Sequence, residues 1–132
     1  MQARLDIRKI PAGALQAMMG FEAYLSRCGL ERQLLDLLCL RASQINGCAY
    51  CIDMHSKDLR TRGETEQRLY LLDAWRESPL YTDRERAALA WTEAVTRLTG
   101  GQVSDEVYEQ ARRQFSPEEL ESLTLAAVAI NS

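Results

Sequence analysis

From Glu31 onward the chain carries Leu34-Leu35-Asp36-Leu37-Leu38-Cys39-Leu40, an apolar run broken by a single carboxylate. Wound as a helix, the run is apolar on nearly every side, and such a helix has to be wrapped by other elements. The neighbouring segments supply that wrapping. A first helix is expected from Ala14 to Cys28, where Leu15, Met18, Met19, Ala23, Tyr24 and Leu25 recur mostly at three- and four-residue spacing and Gly29 closes the pattern. The central helix should end between Ala42 and Asn46. Asn46-Gly47 then turns the chain into a third helix from about Cys48 to Thr61, stopped by Arg62-Gly63. Glu64 to Glu77 is helical by pattern and ends at Ser78-Pro79, because the residue before a proline is pushed out of the helical region.

Later starts are written more explicitly. Thr82-Asp83-Arg84-Glu85 and Ser116-Pro117-Glu118-Glu119 each place a hydroxyl at the cap and a glutamate three residues on, which satisfies two orphan amide donors reciprocally. The second adds proline at the first helical position, where its missing N–H costs nothing. The helix opened at Thr82 reaches Leu98 before Gly100-Gly101, another spans Ser104 to Gln114, and the last runs from Leu120 to Ser132. This last helix stops without glycine, proline or a basic residue while Leu125-Ala126-Ala127-Val128-Ala129-Ile130 is still apolar. Its end is therefore expected either to continue in a longer chain or to be covered by a partner subunit. No window alternates β-branched and polar residues at period two. The expected architecture is all-α, a single domain over residues 1–132, with about six to seven helices in a bundle.

With 46% hydrophobic residues, a chain of this length can build its own core. Its formal charge of -3 offers no basic stripe for phosphates or anionic lipid, which argues against nucleic acid and membrane as partners. The segment Met1 to Ile10 interleaves charged and apolar residues without a secretory core, and no later run approaches a bilayer span, so the expected location is cytoplasmic. In that setting cysteines point to redox or metal chemistry before structural disulfides.

Cys48 and Cys51 form a C-x-x-C directly after the Asn46-Gly47 turn, and the chain's only histidine, His55, follows one helical turn later. Positions 48, 51 and 55 share a helix face, so local geometry brings two thiols and an imidazole together. A thiol in a first helical turn feels the positive end of the macrodipole and unpaired amide donors, both of which favour the thiolate. The imidazole can accept a thiol proton or stand beside the thiolate as a cation. Asp36, the carboxylate of the apolar run, is expected to fold back against the start of the third helix, where it could hold the histidine tautomer or shuttle a proton. The plainer reading makes it a buried ion-pair partner. One thiol of such a pair can attack an oxidant and the other resolve the product as a disulfide. Spacing leaves their order open, since Cys48 is nearer the helix start and Cys51 nearer His55.

Other readings use the same side chains. Cys48, Cys51, His55 and Asp36 would make a four-ligand zinc set, although zinc sites ordinarily pair ligand clusters on loop knuckles. Haem attachment fails because histidine does not directly follow Cys51, and a thioredoxin-like domain needs a βαβ setting. Cys28 and Cys39 lie among apolar residues and read as core. Tyr50 reads as packing, Trp75, Tyr81 and Trp91 as core or interface aromatics, and Glu93 as solvated.

The stretch Leu40-Arg41-Ala42-Ser43-Gln44-Ile45-Asn46-Gly47-Cys48-Ala49-Tyr50-Cys51-Ile52-Asp53-Met54-His55 resembles the core motif of the carboxymuconolactone decarboxylase superfamily, in its alkyl hydroperoxidase D branch. Ala74-Trp75-Arg76-Glu77-Ser78-Pro79-Leu80-Tyr81-Thr82 and Glu85-Arg86-Ala87-Ala88-Leu89-Ala90 extend the likeness over most of the chain from about residue 30. The resemblance implies an alkyl hydroperoxidase D-like helical fold that forms a homo-oligomer, a dimer, trimer or hexamer. It also implies a peroxiredoxin-like reduction of hydroperoxides in which Cys51 is the nucleophile, Cys48 the resolving residue, His55 the relay histidine and Asp36 the acidic relay residue. The family usually has glutamate at the position of Asp36, and alkyl hydroperoxidase D has histidine where this chain has Tyr50, so the relay is expected to be shorter and differently tuned. The decarboxylases of the superfamily generally lack the C-x-x-C, and their activity is not expected here.

The function expected from sequence is thus a thiol-dependent, antioxidant peroxidase that needs no metal and no organic cofactor and is regenerated by a cellular dithiol, thioredoxin-like or lipoyl-type. Three alternatives keep the same residues: a general disulfide oxidoreductase, a thiol stress sensor, and a non-catalytic oligomeric module that binds a metal or ligand.

Overall fold

The apolar run forms helix α2 (Arg32–Asn46) in the computed structural model, which describes residues 9–132. Two of its sides are buried in two different clusters. Leu34, Leu35 and Leu38 pack with Leu25, Ala87, Ala88, Phe115 and Leu123, while Leu37 and Leu40 pack with Leu59, Leu69, Leu72, Trp75, Tyr81 and Leu89. Each fully buried leucine contributes roughly 1.5–3 kcal/mol, so α2 anchors both halves of the core.

Around it lie α1 (Ala12–Leu25), α3 (Ala49–Thr61), α4 (Glu66–Leu71), α5 (Asp83–Arg97), α6 (Asp105–Gln114) and α7 (Pro117–Asn131). Helices α3, α5 and α7 pack directly on α2, α6 packs mainly on α5, and α1 lies on α7. No strand occurs among the described residues, and the all-α reading holds. None of their helices is long and apolar enough to cross a membrane. The sequence reading of the amino-terminal segment falls mostly on residues 1–8, outside the described residues.

Helix starts follow the chemistry of their caps. Thr82 and Ser116 form complete capping boxes with Glu85 and Glu119, and Thr65 and Ser104 accept from the backbone N–H three residues on. Three ends depart from expectation. Helix α1 stops at Leu25 instead of Cys28, because Ser26 Oγ and Arg27 Nε both donate to the carbonyl of Ala23 and Gly29 adopts φ 88°. The segment from Glu64 to Glu77 is not one helix: α4 gives way to a 3-10 turn at Leu72–Ala74. Arg86 accounts for this, donating to the carbonyls of Trp75, Arg76 and Ser78 and so holding that backbone in an open path. Finally, the end of α7 does have a tie. Asn131 Nδ2 donates to Ala127 O at 2.7 Å and Thr96 Oγ1 at 3.0 Å, and its Oδ1 accepts from Asn46 at 2.8 Å.

Helix α1 stands apart energetically. Leu25 is its only buried residue, while Leu15, Met18, Met19 and Tyr24 are exposed, Met19 at 64%.

Candidate active site

Gly47 closes α2 in the left-handed region, at φ 65°, a conformation that side chains with a Cβ rarely adopt. It delivers Cys48 as the N-cap of α3, where Cys48 Sγ accepts from the backbone N–H of Cys51 at 3.3 Å. Cys48 and Cys51, both half-buried, are joined as a disulfide with Cα atoms 5.3 Å apart. His55 follows on the same face of α3. The turn chemistry expected from sequence joins the two cysteines, and helix register sets His55 one turn beyond Cys51 on their face of α3. Tyr50, expected to pack, is 76% exposed on the same helical turn, because the cysteine face and not the tyrosine face points toward α2.

Asp36 is placed differently from the expectation. Two helices folded back at residue 47 advance at the same rise per residue, so position 36 stands level with position 58, in the far half of α3 and not at its start. There Asp36, 1% exposed, pairs with Arg62 (Nε to Oδ2, 2.7 Å) and with Arg32 one turn earlier on α2 (Nε to Oδ1, 3.1 Å). No donor is aligned for a hydrogen bond to Oδ2, and both ring nitrogens of His55 are buried without a partner. Asp36 and His55 thus line one cavity without being bonded to each other.

That cavity measures about 260 Å³ and is walled by Glu22 and Leu25 of α1, Arg32, Leu35, Asp36 and Cys39 of α2, Met54, His55 and Asp58 of α3, and Ala126, Ala129 and Ile130 of α7. The cysteine pair lies outside the lining. Burial holds the imidazole of His55 below its ordinary pKa, and the nearby charges of Asp36 and Asp58, which favour the cation, do not overcome it. Burial therefore favours the neutral ring, the form able to take a proton. Burial, with the charges of Asp36 and Glu22 added, pushes the thiol of Cys39 up to about 12, so it stays protonated and inert as a core residue should. Cys28 also packs against the core and is a free thiol.

A second buried carboxylate escaped the sequence reading. Glu93, expected to be solvated, is 4% exposed, and its carboxylate accepts from Arg41 Nε at 2.7 Å, Trp75 Nε1 at 2.9 Å and Arg76. Burial would raise its pKa, but these three donors outweigh burial and hold the carboxyl below the usual carboxylate range. Arg41, itself 4% exposed at the side chain, also reaches Gln44 and Asp73. The available signal was the pairing of an arginine inside the apolar α2 with a glutamate inside the apolar α5. Among the described residues no three His, Cys, Asp or Glu side chains converge as a metal site, and two of the zinc candidates are bonded to each other.

Comparison with known proteins gives a consistent picture. The profile of the Carboxymuconolactone decarboxylase family matches residues 12–94. The uncharacterized protein YdfG of Bacillus subtilis (strain 168) is 39% identical over 132 residues, covering 100% of this chain and 90% of its own length. The uncharacterized protein YnjA of Escherichia coli (strain K12) is 31% identical over 98 residues, covering 74% of this chain and 53% of its own. A crystal structure from Agrobacterium tumefaciens, of a protein of unknown function titled "Putative Antioxidant Defence Protein AhpD", superposes with a TM-score of 0.93 at 44% identity, over 98% of this chain and 89% of that one. An uncharacterized peroxidase-related protein from Silicibacter sp. TM1040 shares the fold, with a TM-score of 0.79 at 21% identity over 92% of this chain and 64% of that one.

Proposed function

Because the chain belongs to the carboxymuconolactone decarboxylase family, we propose that it is a thiol-dependent peroxidase, an alkyl hydroperoxidase D-like member that reduces hydroperoxides through Cys48 and Cys51. The observation that carries this reading is the Cys48–Cys51 disulfide at the start of α3, with His55 one turn away. The antioxidant name of the Agrobacterium tumefaciens neighbour supports it. The order of the thiols follows the family resemblance.

In the proposed cycle the thiolate of Cys51 attacks the distal peroxide oxygen. The O–O bond breaks, the alcohol or water leaves with a proton, and Cys51 becomes a sulfenic acid. The thiol of Cys48 then attacks that sulfur, forming the disulfide and releasing water. A cellular dithiol, thioredoxin-like or lipoyl-type, returns two electrons and two protons. His55 takes the thiol proton in the first half and supplies one to the departing oxygen, and Asp36 is the acidic residue placed to influence it. No step requires a metal or a prosthetic group. The protein is proposed to work in the cytoplasm as a homo-oligomer whose subunits cover the apolar side of α1 and the neighbouring Leu125 and Val128 of α7. Sedimentation of Met19→Glu against the unaltered protein tests that assembly, with dissociation the expected result.

Mass spectrometry of the reduced protein after one equivalent of peroxide, with a sulfenic-acid trap present, tests the chemistry. The unaltered protein should yield the Cys48–Cys51 disulfide, and Cys48→Ser should yield the trapped adduct on Cys51. Full peroxide consumption by Cys51→Ser would overturn the proposal. Reaction with disulfides but not peroxides would identify a general oxidoreductase, and oxidation without regeneration by any dithiol would identify a sensor.

A further inference from the structure

Asp36 poses a problem that the dithiol cycle leaves open. A carboxylate that is 1% exposed and shares a cavity with an unpartnered imidazole would ordinarily be drawn to it, since each lacks a hydrogen bond the other could supply. Two cations compete for it instead. Arg32 Nε stands 3.1 Å from Oδ1 and Arg62 Nε 2.7 Å from Oδ2. These arginines are not equivalent. Arg32 lines the cavity with His55, so its charge acts on the ring directly. Arg62 sits at the far end of α3, outside the lining, and its guanidinium is paired with the carboxylate oxygen.

We infer that Arg62 is a positioning residue for His55. By holding Oδ2 of Asp36 it keeps the carboxylate from joining the imidazole, and so leaves the histidine a neutral base. The pairing rests on charge and proximity without an aligned N–H, so it restrains the carboxylate but does not lock its direction. Remove the guanidinium, and Oδ2 is free to accept from a ring N–H, which favours the imidazolium. Among the described residues, the charged groups facing His55 are Glu22 from α1, Arg32 and Asp36 from α2 and Asp58 from α3, while α7 presents Ala126, Ala129 and Ile130. Asp36 is the one among them that Arg62 touches. The meaning of this device for catalysis rests on the dithiol peroxidase reading. Its effect on His55 does not.

The test uses the fact that His55 is the chain's sole histidine, so its ring-proton signal in an NMR pH titration is unambiguous. In the disulfide form, Arg62→Gln should move the midpoint of His55 upward, and Arg62→Lys should restore it. In the Asp36→Asn background, Arg62→Gln should move it little. The inference is overturned if Arg62→Gln leaves the midpoint unmoved, or moves it equally in both backgrounds, which would reduce Arg62 to a distant charge. Should Arg62→Gln fail to fold, Arg62→Met keeps the aliphatic stem and takes its place with the same expectations. If peroxide is consumed, the acid limb of its pH profile should rise with the midpoint in Arg62→Gln. No peroxide enters the titration, so a failed titration and a failed peroxidase assay lead to separate conclusions.

Discussion

Asp36 and Glu93 are both carboxylates on the most buried helices of the bundle, and both face two arginines, yet they are finished differently. Glu93 receives aligned donors from Arg41, Trp75 and Arg76 and joins α2, the Trp75 turn and α5. Asp36 has charge partners, but its Oδ2 has no aligned donor, and it borders a cavity together with a histidine whose nitrogens are also unpartnered. A fully satisfied buried network fixes structure, and an incompletely satisfied one beside open space leaves protons somewhere to go. The first region reads as a joint of the fold and the second as a place for chemistry.

Substitutions can break that contrast. The largest effect belongs to the dithiol: Cys51→Ser should abolish peroxide consumption in a coupled assay while the helical circular dichroism stays unchanged. Next comes Glu93→Ala, which leaves Arg41 buried without its carboxylate. Chemical denaturation should show a loss of about 3–5 kcal/mol, with the rate per folded molecule preserved. His55→Gln should do the reverse, lowering peroxide turnover about 100-fold without lowering the melting temperature. If His55→Gln destabilises more than Glu93→Ala, the division between joint and reactive region is lost.

Acid should separate the two regions further. The folded pKa of Glu93 lies below its unfolded value, so its contribution is present above the ordinary carboxylate range and disappears as pH falls through the folded value. The folded pKa of His55 is also depressed, so between its folded and unfolded values the unfolded chain binds more protons and stability declines on acidification. Stability curves should therefore soften first below the ordinary imidazole value and then fall within the carboxylate range, with His55→Gln removing the earlier step alone. The smallest effect expected is that of Thr82→Ala, about 1 kcal/mol by denaturation for the lost cap of α5.

Much of this was legible in the chain. The all-round apolar character of α2, the capping boxes at Thr82 and Ser116 and the glycine turn before Cys48 are local signals, and each became the element it predicted. The pairing of Cys48 with Cys51 was readable for the same reason, and so was the position of His55 one turn later on the same helix. Contacts made across the bundle were not. Arg86 remakes the segment after α4 through carbonyls close in space, and no periodicity announces such a clamp. Glu93 looked solvated because its donors come from elements distant in sequence. Asp36 stands farther along α3 than its start, level with position 58 by a count of residues on either side of Gly47, and its contact with Arg62 lies one turn beyond that count.

The hydrogen bond from the Cys51 amide to Cys48 Sγ makes one sulfur of the disulfide the first support of its own helix. Influence across that bond must run both ways: whatever the helix end does to favour a negative sulfur, a negative sulfur returns as added hold on the helix end. Each change in the electron count of the pair is thereby felt as a change in how firmly α3 begins, and the state of two atoms becomes readable in the backbone, by the exchange rate of a single amide proton.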